Sequence, residues 1–437
     1  MVPAEYTFEA FPVLLEDGGL DPRVIEVAKA AHMSFHESDP GAVLSRRAAR
    51  DAAARGARMW IARRSGQNPD RAMKDRPHGV LYYYPGSVNI GAGQLLDGGF
   101  LTYAAVRSTD TRRGLLRGLM ERNLDAMVKE GLPVALLRAS EGGIYGRFGF
   151  QPVYRCADLT ISHPRDFQLG APAAKMIARS GAIEEVTLPW LLPHMDAIAA
   201  EVHAKERLSI NRQPGFSEAL YFQRDRDELD PTVRAAVHFD PRGRVDGFLT
   251  CRVMNGRAGK SAQVLELLGT CAAAEIALWE FLAELDLISE VRAPEQPVDQ
   301  PVCLALKDPR ALRINNLSDY LWARVLDPVQ VLESRAYTPA AHAAEMGLRF
   351  QVEDPMGYAA GVFELQVGRD GVSVAKGVDP LSNLVVTEGA LAALAFGSDR
   401  AHDLAGAGLI TGASADVLDY LDALFEPVGP ARCTGDF

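Results

Sequence analysis

The residues best suited to chemistry fall between Leu101 and Phe150. There the chain reads Thr111-Arg112-Arg113-Gly114-Leu115-Leu116-Arg117. An amphipathic run follows, then Ser140-Glu141-Gly142-Gly143-Ile144-Tyr145-Gly146-Arg147-Phe148-Gly149. The pattern predicts a strand, a basic turn with one glycine, a helix, a second strand and a short glycine-bearing helix. A helix start leaves backbone N–H groups unpaired, and these amides and the helix dipole both attract anions. Arg112 and Arg113 oppose that dipole unless an anion sits beside them, and Gly114 lets a ligand approach the backbone closely. A phosphate-bearing ligand is the expected occupant. Ser140 is a natural helix N-cap and Glu141 a normal first-turn acid.

A scaffold must hold these groups together. Helices are expected over 24–35 and 46–58, and strands over 59–63, 80–84, 93–96 and 100–106. Leu115, Leu116, Leu119, Met120, Leu124, Met127 and Val128 fall at helical spacing within 114–130, with Gly131 past the end. A second unit begins near Cys156, with helices over 191–208, 217–222 and 273–287 and strands over 235–239, 247–253 and 261–268. It repeats the order strand, turn, helix. Its turn, Gly269-Thr270-Cys271-Ala272-Ala273, lacks both the arginines and the inner glycine, so a structural role is expected. A third unit starts around 306–315, with strands over 321–325, 361–367 and 373–376 and helices over 329–335, 387–395 and 415–425.

Composition narrows the function classes. A chain of 437 residues is too long for one core, and 48% apolar with 24% charged residues is ordinary for a globular protein. A formal net charge of -11 argues against nucleic acid as the main partner; such a field would favour a cationic substrate, though many soluble proteins are acidic for solubility alone. Cys156, Cys251, Cys271, Cys303 and Cys433 are widely spaced and odd in number, which fits free thiols in a reducing compartment. With no signal peptide and no apolar run long enough to span a bilayer, the expected location is cytoplasmic, away from membranes. The nine histidines show no metal-ligand spacing, so no metal is expected, and no Ser-His-Asp ordering or nucleophile elbow is visible.

The stretch from Ala104 to Phe150 resembles the core of GCN5-related N-acetyltransferases, the GNAT superfamily. The acyl-CoA loop [QR]-x-x-G-x-[GA] falls on Thr111-Arg112-Arg113-Gly114-Leu115-Leu116, with Thr111 and Leu116 departing from it. The Arg112–Leu116 and Ser140–Gly149 motifs are similar to those of the Eis (enhanced intracellular survival) family. Asp308-Pro309-Arg310-Ala311-Leu312, Leu321-Trp322 and Phe437 extend the resemblance over the whole chain.

The resemblance implies an α/β (α+β) chain of tandem GNAT domains followed by a sterol-carrier-protein-like domain. Expected bounds are 1–155 for a catalytic unit, 156–305 for a degenerate one and 306–437 for the last. It implies a homo-hexamer that uses acetyl-CoA as co-substrate to acetylate amines of polycationic small molecules such as aminoglycosides. Polyamines or protein lysines are alternative acceptors. Ala104, Ala105 and Val106 match the acyl-CoA strand, whose backbone N–H can hold the thioester carbonyl. Arg112, Arg113, Gly114, Leu115, Leu116 and Arg117 match the pyrophosphate loop, and Ser140 and Glu141 border the cofactor. Tyr145 matches the general acid; a phenol of pKa ~10 stays neutral until it protonates the leaving thiolate. Phe437 matches the residue whose terminal carboxylate is the general base. Phe35, His36, Glu37 and Asp39 fall where the family places part of its amine pocket, and Asp436 adds negative charge for a cationic substrate. Tyr103 and Tyr154 have no matching context. The rival from another class is a non-catalytic acyl-CoA or lipid binding protein.

Overall fold

A computed structural model describes residues 5–66, 76–224, 226–256, 259–377, 383–435 and 437. The first unit runs β1 (Tyr6–Pro12), α1 (Arg23–Ser34), α2 (Gly41–Ala54), β2 (Arg58–Arg64), β3 (Gly79–Asn89), β4 (Leu95–Val106), α3 (Leu115–Lys129), β5 (Val134–Leu137), α4 (Gly142–Tyr145) and β6 (Gln151–Ile161). Alternation along β3 divides its side chains between two cores. Val80, Tyr82 and Tyr84 meet α1 and α2 through Val27, Ala31 and Ala52. Leu81 and Tyr83 meet the α3 stripe of Leu115, Leu119, Met120, Leu124 and Met127. Helical spacing predicts this stripe but also includes Leu116, which is half-buried, and Val128, which is exposed; α3 ends as expected before Gly131, where the Leu132 N–H bonds the Met127 carbonyl at 3.0 Å. Helix α2 begins earlier than expected, behind Pro40.

The two strands expected over 93–96 and 100–106 are one. Asp97-Gly98-Gly99 reads as a turn in sequence, yet it stays in the ladder with β3. The glycines are there for space: a Cβ on Gly98 would sit 2.9 Å from Val134, and one on Gly99 2.5 Å from Met127. Further along, Val80 pairs with Ala105 and Tyr82 with Thr102, so β4 carries an extra residue as a bulge, with Tyr103 at φ 55. The parallel pairing of β4 with β5 covers Gly98–Leu101 and Val134–Leu137.

The central unit follows with α5 (Ala171–Ile177), β7 (Ala182–Val186), α6 (Leu188–His203), α7 (Phe216–Tyr221), β8 (Val233–Phe239), β9 (Val245–Gly256), β10 (Gly259–Gly269), α8 (Ala272–Glu284), β11 (Ile288–Pro297), α9 (Pro301–Ala305) and β12 (Arg313–Val325). Helix α6 stops well short of 208, and Leu208 sits at a non-helical φ of 65. One twelve-stranded sheet joins both units, in the order β1-β2-β3-β4-β5-β12-β6-β11-β10-β9-β8-β7. Strand β6 crosses the expected 155/156 boundary. Strand β12, expected to open the third unit over 321–325, instead lies antiparallel between β5 and β6. Its first half, Arg313–Asp319, is mostly exposed and polar, so it carries no apolar alternation to announce a strand.

The last unit contains α10 (Pro328–Ser334), α11 (Pro339–Ala343), β13 (Met346–Glu353), β14 (Gly361–Gly368), β15 (Gly371–Lys376), β16 (Val385–Thr387), α12 (Glu388–Phe396), α13 (Ala401–Gly406), β17 (Ile410–Thr411) and α14 (Ala415–Leu424). Its five-stranded sheet is ordered β15-β14-β13-β16-β17 around the buried Ala/Leu helix α12. A buried Arg324–Asp354 pair at 2.8 Å, with Arg324 also donating to the Phe148 carbonyl at 2.6 Å, ties this unit to the Tyr145 motif. The five cysteines are free thiols.

Candidate active site

The basic turn after β4 is built from backbone conformations few residues adopt. Arg112 sits at φ 62 and Gly114 at φ 80, which brings the chain abruptly into α3. Gly114 is the N-cap and no side chain caps the helix, so the first-turn amides are open to a ligand. Asp110 braces the turn. Burial pushes its pKa up, but hydrogen bonds from Tyr6 and Thr109 outweigh this and hold it below the ordinary carboxylate value. Beside the turn lies a groove of about 840 Å³, lined by the 104–106 backbone strand, Arg112, Gly114, Leu115, Leu116, Arg117, Ser140, Glu141, Tyr145 and Arg147. Arginines and open amides along a groove of this volume fit an anionic ligand larger than a single phosphate.

Arg113 is placed differently from its neighbours. Its guanidinium pairs with Glu5 at 3.2 Å, and it is not among the groove-lining residues. Glu5 also holds Arg64 at 2.7 Å, so in this conformation Arg113 braces the start of β1 against the end of β2.

A second, inner pocket of about 230 Å³ shares Phe35, Ala104, Ser140 and Tyr145 with the groove. It occupies the gap opened by the β4 bulge and is closed by Leu137, Arg138 and Phe437. Tyr145 is therefore at the junction, with its ring edge-on to Phe150 at 6.4 Å. Burial raises its phenol pKa above the ordinary value; a hydrogen bond with Ser140 opposes this and the Glu141 charge reinforces it. The expectation that Ser140 caps the short helix is corrected: Glu141 occupies the N-cap of α4 without a side-chain cap, and Ser140 lines both pockets together with Tyr145. The Phe437 ring stands edge-on to Phe100 at 4.8 Å and to Tyr84 at 6.5 Å.

The acidic and histidine candidates divide. His36, at φ 59, lines the outer groove, whereas Glu37 lines the inner pocket with His32 at 2.6 Å and Arg224 at 3.4 Å. Asp39 turns away, accepting the Gly41 N–H at 2.9 Å and pairing with Arg76. Asp436 lies outside the described residues. Tyr103 belongs to the inner pocket after all, stacked on Tyr82 at 5.3 Å, because the bulge turns it there. Tyr154 is buried edge-on to Tyr320. Arg138 was missed: it lines the pocket, pairs with Glu295 and lies 4.0 Å above the Tyr320 ring. Nothing local marks it, since both partners come from distant strands. Among the described residues, no group of three His, Cys, Asp or Glu is arranged to hold a metal ion.

The central unit repeats the plan with a different filling. Strand β10 pairs in parallel with β11 and bulges at Leu265, as β4 does at its own bend. Its turn is short, and the Glu275 carboxylate of α8 accepts the Gly269 N–H at 3.2 Å. The fold also brings together a Ser-His-Asp trio that no ordering in the sequence shows. Ser180 lies 3.0 Å from His238 Nε2, and His238 Nδ1 lies 2.6 Å from Asp246. Ser180 also donates to the Ile177 carbonyl at 2.8 Å, so the trio ties the turn after α5 to the β8–β9 hairpin.

Comparison with known proteins agrees with this architecture. An Acetyltransferase (GNAT) domain matches residues 23–153, a second Acetyltransferase (GNAT) domain matches 209–325, and a Sterol carrier protein domain matches 328–433. An uncharacterized N-acetyltransferase of Streptomyces avermitilis is 31% identical over 81% of this chain and 84% of its own. The N-acetyltransferase Eis of Mycobacterium tuberculosis is 30% identical over 77% of this chain and 80% of its own. Among solved structures, Eis1 from Mycobacterium abscessus superposes with a TM-score of 0.77 at 22% identity, covering 98% of this chain and all of that one. A GCN5-related N-acetyltransferase from Anabaena variabilis gives 0.78 at 15% identity over 99% of this chain. No helix among the described residues is long and apolar enough to cross a membrane. With two acetyltransferase domains, acetyl-CoA as the co-substrate they imply and relatives matched over most of their length, the chain belongs to the Eis family of GNAT N-acetyltransferases.

Proposed function

We propose that the N-terminal unit transfers acetyl from acetyl-CoA to a primary amine of a polycationic small molecule such as an aminoglycoside, with Tyr145 as general acid and the Phe437 carboxylate as general base. The observation that carries this reading is the junction itself: Tyr145 lines both the long basic groove and the inner pocket that holds Phe437. Pyrophosphate would lie on the open amides beside Arg112 and Arg117, and the thioester carbonyl on backbone N–H of the 104–106 strand. The amine nitrogen attacks the carbonyl carbon. A C–N bond forms, the C–S bond breaks, the ammonium proton passes to the carboxylate and the phenol proton to the CoA thiolate. A phenol with a raised pKa is protonated when needed. The Glu37 carboxylate in the inner pocket and the net charge of -11 suit a cationic acceptor.

We further infer a homo-hexamer. The reading comes from the family resemblance; the exposed Leu304, Leu287, Ile314 and Leu317 are side chains that contacts between copies would cover. Light scattering on the purified chain tests this. A thiol-release screen with tobramycin, spermidine and a lysine peptide tests the reaction. Release with tobramycin is the expected result; release with none of the three would remove the proposed acceptor class.

A further inference from the structure

The segment after Gly429 crosses the central unit before reaching the active site. The Arg207 N–H donates to the Pro430 carbonyl at 3.1 Å and the Arg432 N–H to the Arg207 carbonyl at 2.8 Å, so the segment runs beside Arg207 like a short parallel strand. Thr434 donates to the Ile210 carbonyl at 3.3 Å, and the Tyr320 hydroxyl donates to the Gly435 carbonyl at 3.0 Å. The groove here is lined by Leu265–Leu268 of β10, Pro294–Pro297 of β11 and residues 432–435. That is the gap between the parallel strands, the place that in the N-terminal unit forms the inner pocket.

One charged contact anchors the passage. Arg432 pairs with Glu275 at 2.6 Å, with side chains only 11% and 9% exposed. Glu275 stands at the start of α8, the topological counterpart of the α3 start where the groove opens in the first unit. Its carboxylate takes the Gly269 N–H, and Gly269 ends β10 as Val106 ends β4. The central unit thus holds an anion near its helix start, but the anion is part of the chain and its counter-ion is the arginine of the passing segment.

We propose that Glu275 and Arg432 are positioning residues for acetyl transfer: the central unit uses the framework that corresponds to the N-terminal unit's groove and gap to dock the 430–435 segment and so places Phe437 in the active site of the N-terminal unit. This rests on the reading of the N-terminal unit given above. An irregular segment near a chain end frays unless it is tied down, and a buried charge left without its partner destabilises its surroundings. Arg138 couples the two gaps. It lines the inner pocket, pairs with Glu295 beside the central gap and stacks on Tyr320, which holds Gly435.

The test uses the full-length chain as Arg432→Met, Arg432→Lys and Glu275→Gln. Hydrogen exchange is measured over 430–437 and over the 107–117 turn, and kcat and KM for acetyl-CoA with tobramycin as acceptor. Arg432→Met should speed exchange in 430–437 alone and lower kcat about tenfold to a hundredfold through misplacement of Phe437, with KM for acetyl-CoA unchanged. Arg432→Lys should recover part of both losses, and Glu275→Gln, which keeps the shape, should reproduce them if Arg432→Met folds poorly. Unchanged exchange over 430–437 overturns the anchor, and faster exchange with wild-type kcat overturns the positioning. Exchange needs no turnover, so an inactive wild type would count against the reading of the N-terminal unit while exchange still decides the anchor.

Discussion

The N-terminal and central units share one plan and differ in what fills it. Both run an antiparallel pair into a bulged strand, a turn, a helix and a parallel strand. In the first, the turn bends through left-handed Arg112 and Gly114 and leaves the helix start open. In the second, the turn is cut to Thr270-Cys271, Glu275 takes the local N–H, and the chain's own Arg432–Gly435 lies in the gap. The two units therefore differ less in their strands and helix than in whether the helix start and the gap are left open.

The largest expected effect comes from the end of the segment that spans both units. Adding residues after Phe437 converts the carboxylate proposed as base into an amide and forces chain through a filled pocket. Acetyl transfer should be abolished while CoA binding, read by calorimetry, persists. Phe437→Ala keeps the carboxylate and loses only the ring contacts with Phe100 and Tyr84, so it should retain more activity than the tagged form. Full activity in a tagged chain, with the tag verified by mass spectrometry, would exclude the carboxylate.

Next in size is Tyr145→Phe, expected to lower kcat about a hundredfold with little change in affinity for acetyl-CoA, since loss of a general acid acts on the transition state. The pH profile follows from the direction of its shift. A phenol raised above its ordinary value of ~10 stays protonated through neutral and mildly alkaline pH, so Tyr145 contributes no fall in rate there. A descending limb below pH ~9 that disappears in Tyr145→Phe would contradict that protonation state.

How much of this was legible in sequence depended on separation along the chain. The α3 stripe, the Arg112–Arg117 turn and the Tyr145 motif are local, so periodicity and turn chemistry reveal them. Arg138 with Glu295 and Arg432 with Glu275 join residues 157 positions apart, and Ser180, His238 and Asp246 meet only once β8 and β9 pair. Strand β12 was half hidden because its polar half is held by the ladder rather than by burial. Tyr103 reads as an ordinary strand residue until the bulge turns it into the pocket.

Arg112 and Arg113 sharpen the contrast within the basic turn itself. Arg112→Ala should weaken CoA binding about tenfold, less at high salt, where partly exposed charges are screened over a Debye length of about 3 Å. Arg113→Ala should leave CoA affinity close to wild type and lower stability slightly through the loss of Glu5. Equal losses of affinity in the two variants would mean that Arg113 swings from Glu5 to the ligand on binding.

The smallest expected effect is none, and it bears on the central unit directly. Titration of the full chain with CoA should saturate at one molecule per chain, and the stoichiometry should stay there in Glu275→Gln. Removing that charge relieves the repulsion a pyrophosphate would meet, yet it opens no cradle. The glutamine still fills the space over Gly269, where the Glu275 Cγ lies 2.7 Å from the position of an added Cβ. The turn still lacks arginine and left-handed backbone, so loosening residues 432–435 creates no anion site at the helix start. An anion site needs charge, open amides and room together, and this substitution changes only the first. A second equivalent of CoA in the variant would show that the Glu275 charge alone had kept the central unit closed.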